Sequence, residues 1–189
     1  MDNNLKDTAY NWVKGEMPAE IGEQYYCGTR EVFQARLDTM VNFLLGDPQI
    51  AENDVYVLSA VAGEIGNNSF DHNLGSWPDM PGIFFGYEAE SGKVIIVLAD
   101  RGQGVLKTLK RVRMELKNDE EALLTAFTEK LSGRAPESRG NGLKFVKEGV
   151  KAMNARLVFM SGKASARLNE GIEISRSDEI KGCLAVIKN

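Results

Sequence analysis

The sequence predicts an α/β fold of the α+β kind, a sandwich in which helices cover a mixed β-sheet. Two segments carry apolar residues at the spacing of an α-helix, and residues 93–99 (KVIIVLA) form a nearly continuous apolar run. Such a run is typical of a central strand in a sheet that other elements cover. At 189 residues the chain is long enough for one domain with a sizeable core.

Two helices are predicted ahead of the central strand. The first begins after Thr29, whose side chain can cap it, and ends at the turn Gly46-Asp47-Pro48. The second covers about residues 53–72, where apolar residues form one stripe. Residues 1–28 are expected to hold a short helix but have no clear role, so the main domain is placed at residues 29–189.

Five strands are predicted in two groups. Two of them flank the turn Ser91-Gly92, and three more lie near the end of the sequence. Their expected positions are residues 83–88, 93–99, 156–160, 171–175 and 183–187.

The two groups of strands are separated by an insertion at residues 105–139. It is rich in charged residues and carries one helical stretch at about residues 119–131. Residues 133–140 are predicted to form a mobile loop, and a further helix follows at about residues 142–153. We expect a functional lid at 105–139, because long connections inside a compact domain are seldom without a role.

Composition and charge argue against several classes of protein. The net charge of −4 does not favour a nucleic-acid partner, which calls for a basic surface. Cys27 and Cys183 lie far apart, so neither a zinc motif nor a disulfide framework is indicated. No apolar run approaches the roughly 20 residues that span a bilayer, and the polar start does not resemble a signal peptide. The expected location is therefore the cytoplasm, with no membrane partner.

One face of the second predicted helix carries three polar side chains. Glu64, Asn68 and His72 follow one another at intervals of four residues, which places them on the same side. A carboxylate can act as a general base, and an amide oxygen can bind Mg²⁺. Gly63 and Gly66 would allow another group to approach this helix closely. The alternative interpretation is a solvated helix face.

Two glycine-rich segments follow at later points in the chain. Asp100-Arg101-Gly102-Gln103-Gly104 comes directly after the central strand, where a carboxylate can accept a hydrogen bond from an exocyclic amine. Arg139-Gly140-Asn141-Gly142-Leu143 opens a helix, and the N–H groups at a helix N-terminus attract phosphate. An ordinary turn and a flexible linker, respectively, would explain them as well.

Taken together and in this order, the three segments resemble the motifs of the GHKL ATPase superfamily, which includes gyrase, a heat-shock chaperone, histidine kinases and mismatch-repair ATPases. Residues 64–72 resemble its N-box, residues 100–104 its first glycine box and residues 140–143 its second. The resemblance covers roughly residues 53–187. It implies the Bergerat α/β fold, a two-layer sandwich, with residues 105–139 as the ATP lid.

The resemblance also implies roles for individual residues, with ATP and Mg²⁺ as cofactors. Glu64 would be the catalytic base, Asn68 the Mg²⁺ ligand, and Asp100 the acceptor for the adenine amine. Gly102 and Gly104 would let the adenine base approach. The phosphates would be bound by the second box and its flanks, namely Arg139, Gly140, Gly142, Leu143 and Lys144.

The sequence departs from the family pattern at two positions. Lys144 stands where the second box usually has another glycine, although a lysine can itself contact phosphate. Gly182-Cys183 stands where the last strand often begins with Gly-Thr, whose threonine lies near the adenine. These departures concern the geometry of the second glycine loop and one contact with the adenine.

The layout is closest to the anti-sigma-factor-type kinases, which act on a protein partner. We therefore expect a regulatory protein kinase or an ATP-dependent switch, with an ATP-binding module without turnover, or an ATP hydrolase, as alternatives. An ATP-gated clamp is disfavoured because no transducer domain follows the last predicted strand. His72 is the single histidine, so no phosphoacceptor histidine is expected. The partner's identity and the oligomeric state, including a homodimer, stay open.

Overall fold

The computed structural model describes residues 4–15, 20–129 and 142–189. Within these ranges the chain forms six helices and five strands. In chain order they are α1 (Asn4–Lys14), β1 (Tyr26–Cys27), α2 (Arg30–Leu45), α3 (Glu52–Asn73), β2 (Ile83–Glu90), β3 (Lys93–Asp100), α4 (Gly104–Leu109), α5 (Asp119–Thr128), α6 (Gly142–Ala152), β4 (Arg156–Leu168) and β5 (Ile172–Lys188).

The five strands form one sheet in the order β1-β2-β3-β5-β4, and every pairing between them is antiparallel. The α and β content agrees with the predicted class, but the predicted mixed sheet is wrong for the described residues. Strands β3 and β4 run in the same direction and are joined through helices, as in a parallel unit. Because β5 lies between them and pairs antiparallel with both, no parallel ladder forms.

The end of the sequence forms two long strands where three short ones were predicted. Strands β4 and β5 make a hairpin of 13 and 17 residues, with register shifts on both sides of Gly162. The polar residues between the predicted strands, such as Asp178 and Glu179, are exposed. They interrupt the apolar pattern without interrupting the hydrogen-bond ladder, which depends on the backbone.

Strand β3 is central, as predicted, and alternate residues of it enter two separate cores. Ile96 packs with residues of α2, α3 and α6 on one face. Val97 packs on the other face with Leu5, Ala9 and Trp12 of α1. The sheet is therefore covered by helices on both faces, and the predicted two-layer arrangement needs this correction. The helix expected within residues 1–28 forms the second cover.

Helices α2 and α3 lie where the sequence predicted them. Thr29 caps α2, since its Oγ1 accepts a hydrogen bond from the Val32 N–H at 3.4 Å. The two glycines of α3 have a structural reason: a β-carbon on Gly66 would overlap the ring of Phe33, and one on Gly63 would lie 3.2 Å from Leu37. What approaches α3 closely at these positions is therefore α2.

The insertion predicted as a lid is largely part of the packed domain. Helix α5 buries Leu123 and Phe127, and the Phe127 ring meets Phe159 of β4 edge-on at 5.5 Å between centroids. An apolar stripe among the charges therefore anchors α5 in the core, which is not the arrangement expected of a lid. The rest of the predicted lid, residues 130–139, lies outside the described residues. Across the described ranges no helix is both long and apolar enough to cross a membrane.

Candidate functional site

The polar face of α3 is the centre of the candidate site. Glu64, Asn68 and His72 are all partly buried, and Asn68 Nδ2 donates to Glu64 Oε1 at 3.1 Å. Because the amide nitrogen makes this hydrogen bond, the amide oxygen is the atom that could bind a cation. That oxygen has no hydrogen-bond donor among the described residues.

The start of α6 lies directly on this pair of side chains. A β-carbon on Gly142 would overlap Glu64 Oε1 and would lie 2.9 Å from Asn68 Nδ2. Leu143 and Lys144 follow it and are partly buried, and Lys144 makes no ion pair within the described ranges. The structure thus brings the described part of the second glycine segment onto the polar face of α3.

Two residues predicted for the second glycine segment, Arg139 and Gly140, lie outside the described residues. Their predicted contacts with phosphate stay predictions.

Asp100 ends β3 with a side chain that is almost fully buried. Ser69 Oγ donates to its Oδ2 at 2.7 Å, and the Gly102 N–H donates to its Oδ1 at 2.8 Å. Burial raises the pKa of this carboxyl, while hydrogen bonds from Ser69 and from the N–H groups of Gly102 and Cys183 act in the opposite direction. A carboxylate has about four acceptor positions, so one further donor can be accommodated.

The first glycine segment is held against α3 by Asn73. The Asn73 side chain accepts from the Gln103 N–H at 2.9 Å and donates to the Ser69 carbonyl at 2.8 Å. A β-carbon on Gly102 would overlap this amide, and Gly104 has a φ of +75°, which favours glycine. Both glycines predicted for this segment are therefore required by its close packing.

Three residues of the site were missed by the sequence analysis: Ser69, Asn73 and Gly182. Ser69 and Asn73 are four residues apart on α3, so the same helical spacing that identified Glu64 and Asn68 could have found them. Gly182 has a φ of +60°, and a β-carbon there would overlap the Asp100 carbonyl oxygen. In the sequence, the only indication of this role was the position of Gly182 just before the last predicted strand.

Cys183 stands beside Asp100, directly opposite it in the pairing of β3 with β5. Its Sγ lies 3.7 Å from Ser161 Oγ, and burial together with the charge of Asp100 holds the pKa of the thiol well above its usual value. The thiol is therefore protonated at neutral pH. Ser161 Oγ also donates to the Gly182 carbonyl at 3.0 Å and accepts from the Val105 N–H at 2.9 Å. It thus connects the start of α4 to β5.

His72 lies one helical turn beyond Asn68. Burial and the nearby charge of Arg111 lower the pKa of its imidazole, so the neutral form is favoured at neutral pH. Its Nδ1 is buried and has no hydrogen-bond partner among the described residues. Arg111 donates to Gln103 Oε1 at 2.9 Å, which places this cation next to the first glycine segment.

A cavity of about 370 Å³ borders the first glycine segment. Its walls include Gly102, Gly104 and Gly182 and side chains of both charges, but no residue of α3. Charged lining residues are Asp79, Arg101, Asp119, Glu179 and Lys181. The cavity therefore extends the space next to the glycines and does not contain Glu64 or Asn68.

In comparisons with known proteins, no protein-family model matches this sequence, and no curated protein matches it. Among the described residues no group of three or more histidine, cysteine, aspartate or glutamate side chains could hold a metal ion. What the arrangement offers is a buried acceptor, a partly buried carboxylate beside an amide, and a helix N-terminus, all adjoining α3.

Proposed function

We propose that this chain binds Mg-ATP in the manner of GHKL proteins and acts as a regulatory protein kinase or ATP-dependent switch on a protein partner. The observation that supports this is the convergence of two distant segments on α3. Asp100 reaches the helix through Ser69, while Gly142 touches Glu64 and Asn68. A solvated helix face, the alternative interpretation, would not be covered on both sides by glycine-rich backbone.

In this proposal Asp100 distinguishes adenine from guanine. The exocyclic amine of adenine donates a hydrogen bond to the buried carboxylate. Guanine presents a carbonyl oxygen at the same place, and two acceptors facing each other in a buried site repel. The bonds from Ser69 and Gly102 hold the carboxylate in a fixed orientation, so little conformational entropy is lost when the adenine binds.

The polar face of α3 would act at the phosphates. Asn68 Oδ1 would bind Mg²⁺, which prefers oxygen ligands and retains several waters while it bridges phosphates. The N-terminus of α6 at Gly142 would favour the negative charge. Glu64 would orient or deprotonate the attacking hydroxyl, because phosphoryl transfer depends chiefly on positioning and on charge stabilisation.

The test is calorimetric titration with ATP, ADP and GTP, each with and without Mg²⁺. We expect ATP to bind better than GTP. Asp100→Ala removes a charged hydrogen-bond partner worth ~1.5–3 kcal/mol and should weaken ATP binding at least about tenfold. Asn68→Ala should weaken Mg-ATP more than metal-free ATP. Equal affinities of the wild-type protein for ATP and GTP would contradict the role of Asp100.

A second candidate function, ATP binding without turnover, is favoured by one contact. Glu64 Oε1 already accepts from Asn68 and lies under Gly142, so this oxygen is occupied. A pull-down from native lysate with ATP and then with ADP, followed by phosphosite mass spectrometry, distinguishes the two functions. A kinase leaves phosphate on a serine or threonine of the partner. A module without turnover binds its partner in one nucleotide state and leaves it unmodified.

A further inference from the structure

Arg101 lies between Asp100 and Gly102, and its side chain is fully buried. Its Nη1 donates to the carbonyl oxygens of Trp12 and, at 3.0 Å, of Gly15. Its Nε and Nη2 donate to the Asp79 carboxylate at 3.1 and 2.7 Å. The guanidinium is therefore shared between two other parts of the chain.

The two carbonyls belong to the C-terminal end of α1. The last carbonyls of a helix have no partner inside the helix, and a positive charge beside them is favourable. Arg101 supplies both the donors and the charge. In turn, undocking of α1 would leave the buried Nη1 without the two carbonyl oxygens that accept from it, which is costly for a buried donor.

Asp79 completes the arrangement from the loop between α3 and β2. It also receives Lys181 of β5 at 3.2 Å. Although burial alone would raise the pKa of this carboxyl, hydrogen bonds from Arg101, Lys181 and the Met80 N–H lower it. Asp79 is therefore ionised at neutral pH and fixes the guanidinium through its Nε and Nη2, while Nη1 bonds α1.

We propose that Arg101 is a positioning residue that couples the docking of α1 to the conformation of residues 100–104, so that the N-terminal helix controls the affinity of the nucleotide site. The inference rests on the proposed function for its ligand. It follows because the Arg101 backbone joins the adenine-reading carboxylate to the glycines beside it. Coupling of this kind is reciprocal, so nucleotide binding must also change the docking of α1.

The chain offers a matched control for the variants Arg101→Lys and Asp79→Asn. Asp178 of β5 also holds α1, through Lys14 at 2.6 Å and Tyr10 at 3.2 Å, but it does not contact the glycine segment. Asp178→Asn therefore removes an exposed ion pair, which contributes little to the docking of α1, and leaves the contacts of Arg101 in place. If Arg101 served only as a structural anchor, Arg101→Lys would give the same results as Asp178→Asn.

Two measurements on the full chain test the coupling. Hydrogen exchange reports the Gly102 and Gln103 amides, which donate to Asp100 and Asn73. Fluorescence reports α1, because Trp12 is buried in its docking surface and Trp77 is the second tryptophan in the sequence. A Trp77→Phe background leaves Trp12 as the single probe during titration with Mg-ATP.

We expect ATP to change the Trp12 emission in the Trp77→Phe protein, and Arg101→Lys to abolish that change. Arg101→Lys should also weaken ATP binding about tenfold and speed exchange at Gly102 and Gln103, while Asp178→Asn leaves both near wild type. If Arg101→Lys does not fold, the same measurements are made on Asp79→Asn, which changes an exposed residue.

The coupling is overturned if exchange at Gly102 and Gln103 is the same in wild type, Arg101→Lys and Asp79→Asn, or if it rises equally in Asp178→Asn. Failure of the wild-type protein to bind ATP would overturn the proposed function instead. In that case the exchange rates still decide whether Arg101 positions the segment.

Discussion

The two glycine-rich segments meet the same helix in different ways. The first, at residues 100–104, is closely packed by its neighbours: Asn73 crowds Gly102, Gly182 crowds Asp100, and Arg101 is fully buried. The described part of the second, at Gly142, touches the ends of two side chains that can rotate. In the first segment glycine therefore allows a fixed backbone to pack closely. In the second segment glycine leaves room for side chains that can move.

Under the proposed function, this difference separates recognition of the adenine from transfer of the phosphoryl group. A fixed acceptor suits adenine, because a rigid site loses little on binding. Side chains that can rotate suit phosphoryl transfer, in which the base and the metal ligand adjust to the attacking group. We therefore expect changes around the first segment to act on stability and affinity, and changes around the second to act on turnover.

The largest expected effect is that of Glu64→Gln. The amide keeps the size of the side chain but cannot take a proton, so turnover should fall by ~10²–10⁴-fold, the range for a lost general base. The affinity for ATP and the thermal midpoint should stay near wild type. Phosphate release or partner phosphorylation measures the turnover, and calorimetry measures the affinity and the thermal midpoint. Unchanged turnover would place the base elsewhere.

The second-largest expected effect is a loss of stability in Gly182→Ala. Gly182→Ala combines a left-handed residue, at ~1–2 kcal/mol, with overpacking, at ~1–3 kcal/mol, so the free energy of unfolding should fall by about 2–5 kcal/mol. Gly75, with a φ of +69° and no atom within 4 Å of a β-carbon, isolates the first contribution. Gly171, which is open on all sides and has no positive φ, should change by less than about 0.5 kcal/mol.

Urea unfolding of the three alanine variants measures these differences. If Gly182→Ala and Gly75→Ala lose the same stability, the packing around Asp100 is looser than the structure indicates, and the contrast between the segments weakens.

A smaller effect is expected at the second segment. In Gly142→Ala the new methyl group meets the Glu64 carboxylate and the Asn68 amide, which can rotate away, so stability should change by less than about 1 kcal/mol. The displaced Asn68 should weaken Mg-ATP about tenfold while metal-free ATP is unaffected. Calorimetry with and without Mg²⁺ checks this. Equal losses in the two titrations would mean that Gly142 serves the nucleotide itself.

The smallest expected effect is a change in stability and in ATP affinity as the pH is lowered. Since burial raises the pKa of Asp100 above its ordinary value of 3.8, the folded protein binds this proton more tightly than the unfolded chain does. The group's contribution to stability therefore increases as the pH falls through the folded pKa. ATP affinity should change in the opposite direction, by about twofold where half of the carboxyl is protonated. Titrations of wild type and Asp100→Asn, in which this group does not titrate, separate the effect from the phosphates of ATP.

Much of the fold followed from local patterns. The two long helices and the hairpin β2–β3 were predicted within a few residues, because each has a strong period and clear turn residues. The antiparallel order of β5 between β3 and β4 could not be predicted, since pairing partners are distant in sequence. The position of α1 was missed for the same reason, because its apolar residues acquire a partner only when the second face of β3 is known.

The site shows a similar division. The shared helix face of Glu64 and Asn68 was predicted from spacing, and the place of Asp100 at the end of β3 from the apolar run before it, whereas the direct contact between Gly142 and Glu64 needed coordinates. Gly63 and Gly66 allow a close approach, as predicted, but the sequence could not show that the approaching group is α2, because a helix packed on a helix and a helix packed on a ligand both require small residues. The roles in nucleotide chemistry stay predictions.

The place of β5 in the sheet also determines the order in which the protein can assemble. Helix α1 is held to β5 by contacts such as Lys14 with Asp178, which are 164 residues apart. During synthesis the edge of β3 that pairs with β5 therefore stays uncovered until β5 has left the ribosome. An open strand edge of this kind invites pairing with other chains. Because this pairing is non-local, we expect closure of the sheet by β5 to be slow, so that the yield of folded protein depends on temperature and on chaperones as well as on native stability.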